Sequence, residues 1–162
     1  MQKISYLFLI LTGLLLSTSC VSRKVYNASK VPKSPAGFKL KKPVGTGYRI
    51  TQRFRPAKNT KHNGMDIAGK KGSPIFSVGK GRVIYAGSKF SGYGKMILID
   101  HGNGLTTLYS HLTKFFVRSG RRVRAGQLIG SMGRTGRATG VHLHFEVMEN
   151  KLPVNPEKYI AF

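Results

Sequence analysis

From Gly45 onward the chain is written as short runs of β-branched and aromatic residues closed by glycine-containing turns, with no competing stretch of helical period. Such runs fit a pleated, half-buried surface, and the glycines mark where the chain must reverse. The candidate strands are Tyr48–Gln52, Pro74–Val78, Arg82–Ala86, Lys95–His101, Leu105–His111, Gln127–Ser131 and His142–Met148. Between them lie Gly79-Lys80-Gly81, Ser91–Gly94, Gly102-Asn103-Gly104 and Gly133–Gly140. Asn103-Gly104 between two alternating runs is a hairpin signal. A short helical turn is expected only at Asn155–Ile160. The fold class that follows is all-β: an antiparallel sheet or sandwich domain.

Length and composition narrow the function classes. A chain of 162 residues has room for one domain, and 40 % hydrophobic residues suffice for a core. One cysteine excludes an intrachain disulfide framework and any paired-cysteine metal site. With only 5 acids, a multi-carboxylate metal site or a paired-carboxylate glycosidase is hard to build. The 5 histidines are therefore the main supply of metal ligands and bases.

The N-terminus is an address. Lys3 precedes an apolar run, Ile4–Leu16, of signal-peptide length and short for a membrane span; Ser17-Thr18-Ser19 and the lone Cys20 follow. This resembles a bacterial lipoprotein signal, with Cys20 as the lipidated first residue, although Ser17 stands where such signals usually carry Leu. It implies an exported, lipid-anchored protein of the cell envelope, facing the periplasm or held on the outer membrane. Residues 20–44 carry Arg23, Lys24, Lys30, Lys33, Lys39, Lys41 and Lys42 with three prolines and no acid, which reads as an extended linker. The domain is expected over residues 45–162.

A formal charge of +23 and a pI near 10.8 would suit a nucleic-acid binder. Export and the lack of any nucleic-acid-binding motif argue against nucleic acid. Peptidoglycan carboxylates and other anionic envelope polymers are the polyanions left.

Four histidines stand in contexts that suit metal chemistry: His62-Asn63-Gly64-Met65-Asp66, Tyr109-Ser110-His111 and His142-Leu143-His144. In a strand, His142 and His144 share a face while Leu143 and Phe145 take the other. Gly64 and its neighbouring Asn argue that His62 and Asp66 come together in a loop. Two neutral imidazoles and one carboxylate leave zinc a fourth position for water; that charge lowers the water pKa and polarises a carbonyl. Remaining histidines can take a proton or steady an oxyanion. Each motif alone is weak, and only their combination is informative.

The combination resembles the lysostaphin/LytM-type zinc metalloendopeptidases. The likeness runs through His62–Gly69, Gly72–Ile75, Gly81–Gly87, Gly92–Gly94, Ile99–Gly104, Leu108–Leu112, Gly126–Gly130 and Thr135–Val147, so about Gly45 to Pro156 is covered. Val141 stands where many relatives have Pro. The resemblance implies one zinc ion held by His62, Asp66 and His144 in a groove, with His111 and His142 as catalytic histidines. His111 is taken as base and His142 as electrostatic partner. It implies cleavage of peptide cross-links in peptidoglycan; because a lipoprotein with a short catalytic domain suits a Gram-negative envelope, the D-Ala–diaminopimelate link is expected before a glycine bridge. Two rivals are an inactive activator of other wall hydrolases and a tethered polyanion-binding protein. The activator reading is disfavoured because all five family positions are present.

Other residues carry weaker expectations. His101 reads as a strand-end or supporting residue. Asp100 or Glu146 is a candidate to brace an imidazole, with pairing to Arg or Lys the favoured alternative. Tyr109, two before His111, is expected on the same strand face, touching substrate or packing. Gly133–Arg137 lacks the ending of a phosphate-gripping loop.

Overall fold

The computed structural model describes residues 40–162 apart from Pro56. The expected signal (1–19), the expected lipidation site Cys20 and most of the linker lie outside the described residues.

The described chain is β throughout apart from one short 3-10 turn, in the order β1 (Arg49–Gln52), β2 (Met65–Ala68), β3 (Pro74–Phe76), β4 (Gly81–Gly87), β5 (Met96–Gly102), β6 (Leu105–Ser110), β7 (Lys114–Phe115), β8 (Arg122–Val123), β9 (Leu128–Ser131), β10 (His142–Glu149) and β11 (Leu152–Val154). Pro156–Lys158 forms the turn, capped by the Asn155 side chain, which accepts from the Glu157 N–H. An eight-stranded antiparallel sheet runs β1-β2-β10-β6-β5-β4-β8, with β11 also on β10; β3-β9-β7 form a second, three-stranded sheet. Ile75 and Ile129 of the small sheet and Ile67, Ile97 and Phe145 of the large one belong to one core. The architecture is thus a sandwich, as the alternating pattern predicts.

Strand β10 shows how sequence fixes the site. Leu143, Phe145 and Val147 are all 0 % exposed, and each such burial stabilises by about 1.5–3 kcal/mol. Period two then sends His142, His144 and Glu146 to the opposite face. A slip of one residue would bury imidazoles and expose Phe145, so the register is strongly specified. Met65 and Ile67 pin β2 in the same way and turn Asp66 outward. β2 and β10 pair with Asp66 opposite His144, and on the other side of β10 Ser110 of β6 is opposite the same residue.

Two expectations need correction. The linker does not run to Val44: Leu40 and Val44 are buried in the core, the Lys41 N–H donates to the Val78 carbonyl, and Val44 bridges to Ile75. Apolar side chains at these two positions outweigh the surrounding lysines. Asp66 does not sit in a loop: Met65–Ala68 is a strand, short but alternating, and only His62 comes from the loop before it.

Candidate metal centre

Three donor atoms converge where β2, β10 and the loop before β2 meet. Asp66 Oδ1 lies 2.8 Å from His144 Nδ1 and 3.1 Å from His62 Nε2, and the two nitrogens are 3.2 Å apart. A tetrahedral ion with bonds of about 2.1 Å holds its ligand atoms about 3.4 Å apart. The trio therefore fits zinc after opening by a few tenths of an ångström, and these residues are the described set able to hold a metal. One carboxylate and two imidazoles is a zinc-type donor set, poor for the oxygen-hungry calcium or magnesium.

The far nitrogens of both rings are engaged as well. His62 Nδ1 lies 2.9 Å from the Arg53 carbonyl and His144 Nε2 lies 2.9 Å from Glu146 Oε1. A carbonyl and a carboxylate only accept, so both nitrogens carry protons, and the inward nitrogens are left as the metal-binding ones. Tyr93 donates to the same Glu146 oxygen at 2.9 Å. Burial and the Glu146 charge push the Tyr93 phenol far above its ordinary value, so it stays a donor. Gly64 completes the packing: a Cβ there would sit 2.5 Å from the Phe145 carbonyl and 2.9 Å from the His144 ring. Only a glycine lets the His62 loop close on β10.

Burial works against the charge on Asp66, but hydrogen bonds from His144 and His62 prevail and hold its carboxyl well below the usual range. Burial likewise opposes a charged His144, yet Asp66 and Glu146 on its two nitrogens lift it to about 9. In the metal-free site His144 is thus an imidazolium wedged between two carboxylates. A cation binding at Nδ1 displaces that proton, which couples metal uptake to proton release.

His111 and His142 flank the trio. Their ring centroids are 4.7 Å apart, and the His111 ring is 6.0 Å from that of His144. His142 Nδ1 lies 3.0 Å from the Gly140 carbonyl, and its Nε2 faces Asp66 Oδ1 at 3.8 Å. His111 Nδ1 donates to the Thr135 carbonyl at 2.7 Å, which leaves Nε2 with its lone pair. Burial lowers the His111 pKa to about 4, helped by the neighbouring imidazoles His142 and His144 and opposed by the Thr135 carbonyl. At neutral pH it is an uncharged ring with a free acceptor nitrogen.

His111 does not share a face with Tyr109. β6 ends at Ser110, and His111 adopts φ 60°, left-handed backbone that turns its ring toward the site. Tyr109 is fully buried, its hydroxyl accepting from the Val78 N–H, so it packs rather than meeting substrate. His101 is a supporting residue, placed between the Lys80 carbonyl and the Thr107 hydroxyl. Asp100 accepts from the Gly102 N–H at a turn. Glu146, expected rather to pair with Arg or Lys, braces the imidazole instead.

Tyr93 and Thr135 were given no role by the residue pattern, although both lie in glycine-rich turns. Gly94 and Gly136 explain those turns. A Cβ on Gly94 would meet the Thr135 and Gly136 backbone at 2.4–2.5 Å, and both glycines have positive φ. Backbone packed on backbone carries Tyr93 to Glu146 and Thr135 to His111.

Residues 60–156 match the model of peptidase family M23. The chain belongs to peptidase family M23. Among curated M23 relatives, the DD-carboxypeptidase/endopeptidase Mpg of Neisseria meningitidis is 40 % identical over 135 residues, covering 78 % of this chain and 30 % of that protein. The murein hydrolase activator NlpD of Escherichia coli is 41 % identical over 99 residues, covering 61 % and 26 %. The chain thus spans less than a third of either relative. Among solved structures, a zinc-containing peptidase from Vibrio cholerae matches with TM-score 0.65 and 37 % identity, over 74 % of this chain and 39 % of that one.

Proposed function

We propose that this M23 domain is a zinc-dependent endopeptidase that hydrolyses peptide cross-links of bacterial peptidoglycan. The observation that carries the reading is the completeness of the site: a trio fit for a metal with the outward nitrogens of both its imidazoles engaged, and two further imidazoles beside it, one of them neutral with a free nitrogen.

His62, Asp66 and His144 would hold the zinc, which when bound supplies a Lewis acid that lowers the pKa of water and polarises a carbonyl. His111 Nε2 accepts the proton of the attacking water, oriented by the Thr135 carbonyl on the other side of its ring. His142, held through Nδ1 by the Gly140 carbonyl, presents Nε2 to the carbonyl oxygen that gains charge and stabilises that oxyanion. Glu146 and Tyr93 keep the His144 ring in its metal-binding orientation. The D-Ala–diaminopimelate cross-link is the first substrate to test, supported by the relatives named for DD-endopeptidase activity. The apolar run before Cys20 supports export and a lipid anchor in the envelope.

A second reading, an activator of other wall hydrolases, is favoured by the likeness to the murein hydrolase activator NlpD of Escherichia coli. Incubation of the purified zinc-loaded chain with isolated sacculi separates the two. The enzyme reading expects release of soluble fragments by this chain alone. Release only when a second hydrolase is added would assign it to the activator class.

A further inference from the structure

His111 reaches the metal trio from a backbone conformation that is uncommon outside glycine. Its φ of 60° is left-handed, and such a residue persists where the surrounding bonds over-determine it. The bonds here converge on one side chain, that of Thr135. Its hydroxyl accepts from the Lys95 N–H at 2.9 Å and donates to the Leu112 carbonyl at 2.9 Å. The Leu112 N–H in turn donates to the Lys95 carbonyl at 3.0 Å. Three hydrogen bonds thus close a cycle through Thr135, Lys95 and Leu112, and Leu112 directly follows His111. The His111 N–H itself donates to the Tyr93 carbonyl at 3.0 Å, two residues before Lys95.

A hydroxyl suits this place because one atom offers both a proton and accepting lone pairs, and the cycle uses both. Backbone fills the space beside it: a Cβ on Gly94 would stand 2.6 Å from Thr135 Oγ1 and 2.4 Å from the Thr135 carbonyl carbon. Valine has the shape of threonine and neither hydrogen-bonding function. It would leave the Lys95 N–H and the Leu112 carbonyl without this partner.

The same residue holds the ring. The Thr135 carbonyl takes the Nδ1 proton of His111 at 2.7 Å. A neutral imidazole in water carries its proton mainly on Nε2, and in a protein the hydrogen bond made by one nitrogen decides where the proton sits. The Thr135 carbonyl therefore selects the less common tautomer, whose bare Nε2 is able to accept a proton from water. It does so only while residue 135 stays where its hydroxyl anchors it.

We propose that the Thr135 hydroxyl is a positioning group for His111: by tying residue 135 to Lys95 and Leu112, it holds the carbonyl that keeps the His111 proton on Nδ1. Its effect on rate rests on the endopeptidase reading; its effect on the ring rests on the hydrogen bonds alone.

The test uses the zinc-loaded full chain with isotopically labelled imidazole nitrogens. Long-range proton–nitrogen spectra at mildly alkaline pH report which nitrogen of His111 is protonated, with its signals assigned by their loss in His111→Ala. The wild type is expected to carry the proton on Nδ1. Thr135→Val should move it to Nε2 in a large fraction of molecules and keep its zinc. On cross-linked muropeptides it should lower kcat at least ~tenfold with KM little changed. Thr135→Ala carries the same expectations, so a valine variant that fails to fold leaves the test intact. Thr135→Ser keeps the hydroxyl and should restore both tautomer and rate. Thr113→Val is the control for general loosening: its hydroxyl donates to the Met132 carbonyl, outside the cycle, so tautomer and kcat should hold. A proton that stays on Nδ1 in Thr135→Val and Thr135→Ala overturns the proposal. So does an equal tautomer shift in Thr113→Val, or a serine variant as impaired as the valine. A wild-type chain that hydrolyses nothing sinks the endopeptidase reading, while the ring spectra still uphold or overturn the hold of Thr135 on the tautomer.

Discussion

Glu146 and Asp66 grip opposite nitrogens of one ring: His144 Nε2 lies 2.9 Å from Glu146 Oε1, and His144 Nδ1 lies 2.8 Å from Asp66 Oδ1. The first contact decides which nitrogen is left for a metal. Supporting carboxylates of this kind are worth about 10–100-fold in metal affinity. Glu146→Gln should therefore weaken zinc binding by about that factor in a chelator competition. Tyr93→Phe, which removes one donor from Glu146, should have the same sign and a smaller effect. Unchanged affinity in Glu146→Gln would show that the ring is held by packing alone.

The five site residues should divide into two groups. His62→Ala and His144→Ala should lose bound zinc and activity together, since each removes one of three donors. His111→Ala should keep its zinc and lose turnover by about 10²–10⁴-fold, the usual share of a general base. Zinc content and hydrolysis rate measured on the same preparations separate the groups. A near-wild-type rate in His111→Ala would remove it from the base role.

Much of this division can be read from the residues, because strand periodicity is local. Leu143, Phe145 and Val147 announce β10 and so place His142, His144 and Glu146 on one face. Met65 and Ile67 announce β2 as well, but Gly64 and the Asn beside it draw attention to a loop. The β10–β11 hairpin is less legible: Asn150 and Lys151 both have positive φ, and no glycine marks the turn. His111 shows the limit most clearly. It continues an alternating run, and only its left-handed backbone, set by packing of the 91–94 and 133–140 loops, turns it from the Tyr109 face to the metal trio. Alternation sets Glu146 beside His144, but the Tyr93 hydroxyl that also holds Glu146 comes from a distant turn that no spacing encodes.

Acid should destabilise the metal-free fold through buried neutral histidines. Burial lowers the His101 pKa, opposed by the Lys80 carbonyl and Asp100. The unfolded chain therefore takes up a proton below about 6.5 that the folded chain refuses, and stability present above that pH is lost as pH falls. His111, lowered to about 4, acts in the same direction. His144, raised to about 9, acts between 6.5 and 9 in the opposite sense and so contributes no slope in the acid window. Urea midpoints in the presence of chelator should fall from pH 6.5 toward 4.5, and His101→Gln should flatten the fall without abolishing it. An identical slope in His101→Gln would refute the assignment.

Gly64→Ala should damage the site through space. Its Cβ would collide with the Phe145 carbonyl and the His144 ring, at a cost of about 1–3 kcal/mol. Denaturation should show that loss, with weaker zinc binding because His144 is pushed. Gly45→Ala, with nothing within 4 Å, is the control and should leave both unchanged.

The most direct test of the account is digestion of defined cross-linked muropeptides by the purified chain, followed by mass analysis. The account predicts monomers from hydrolysis of the peptide cross-link, loss of that activity with chelator, and its return with zinc. Intact cross-links after incubation with a chain shown to hold one zinc, or cleavage that chelator does not touch, would contradict it.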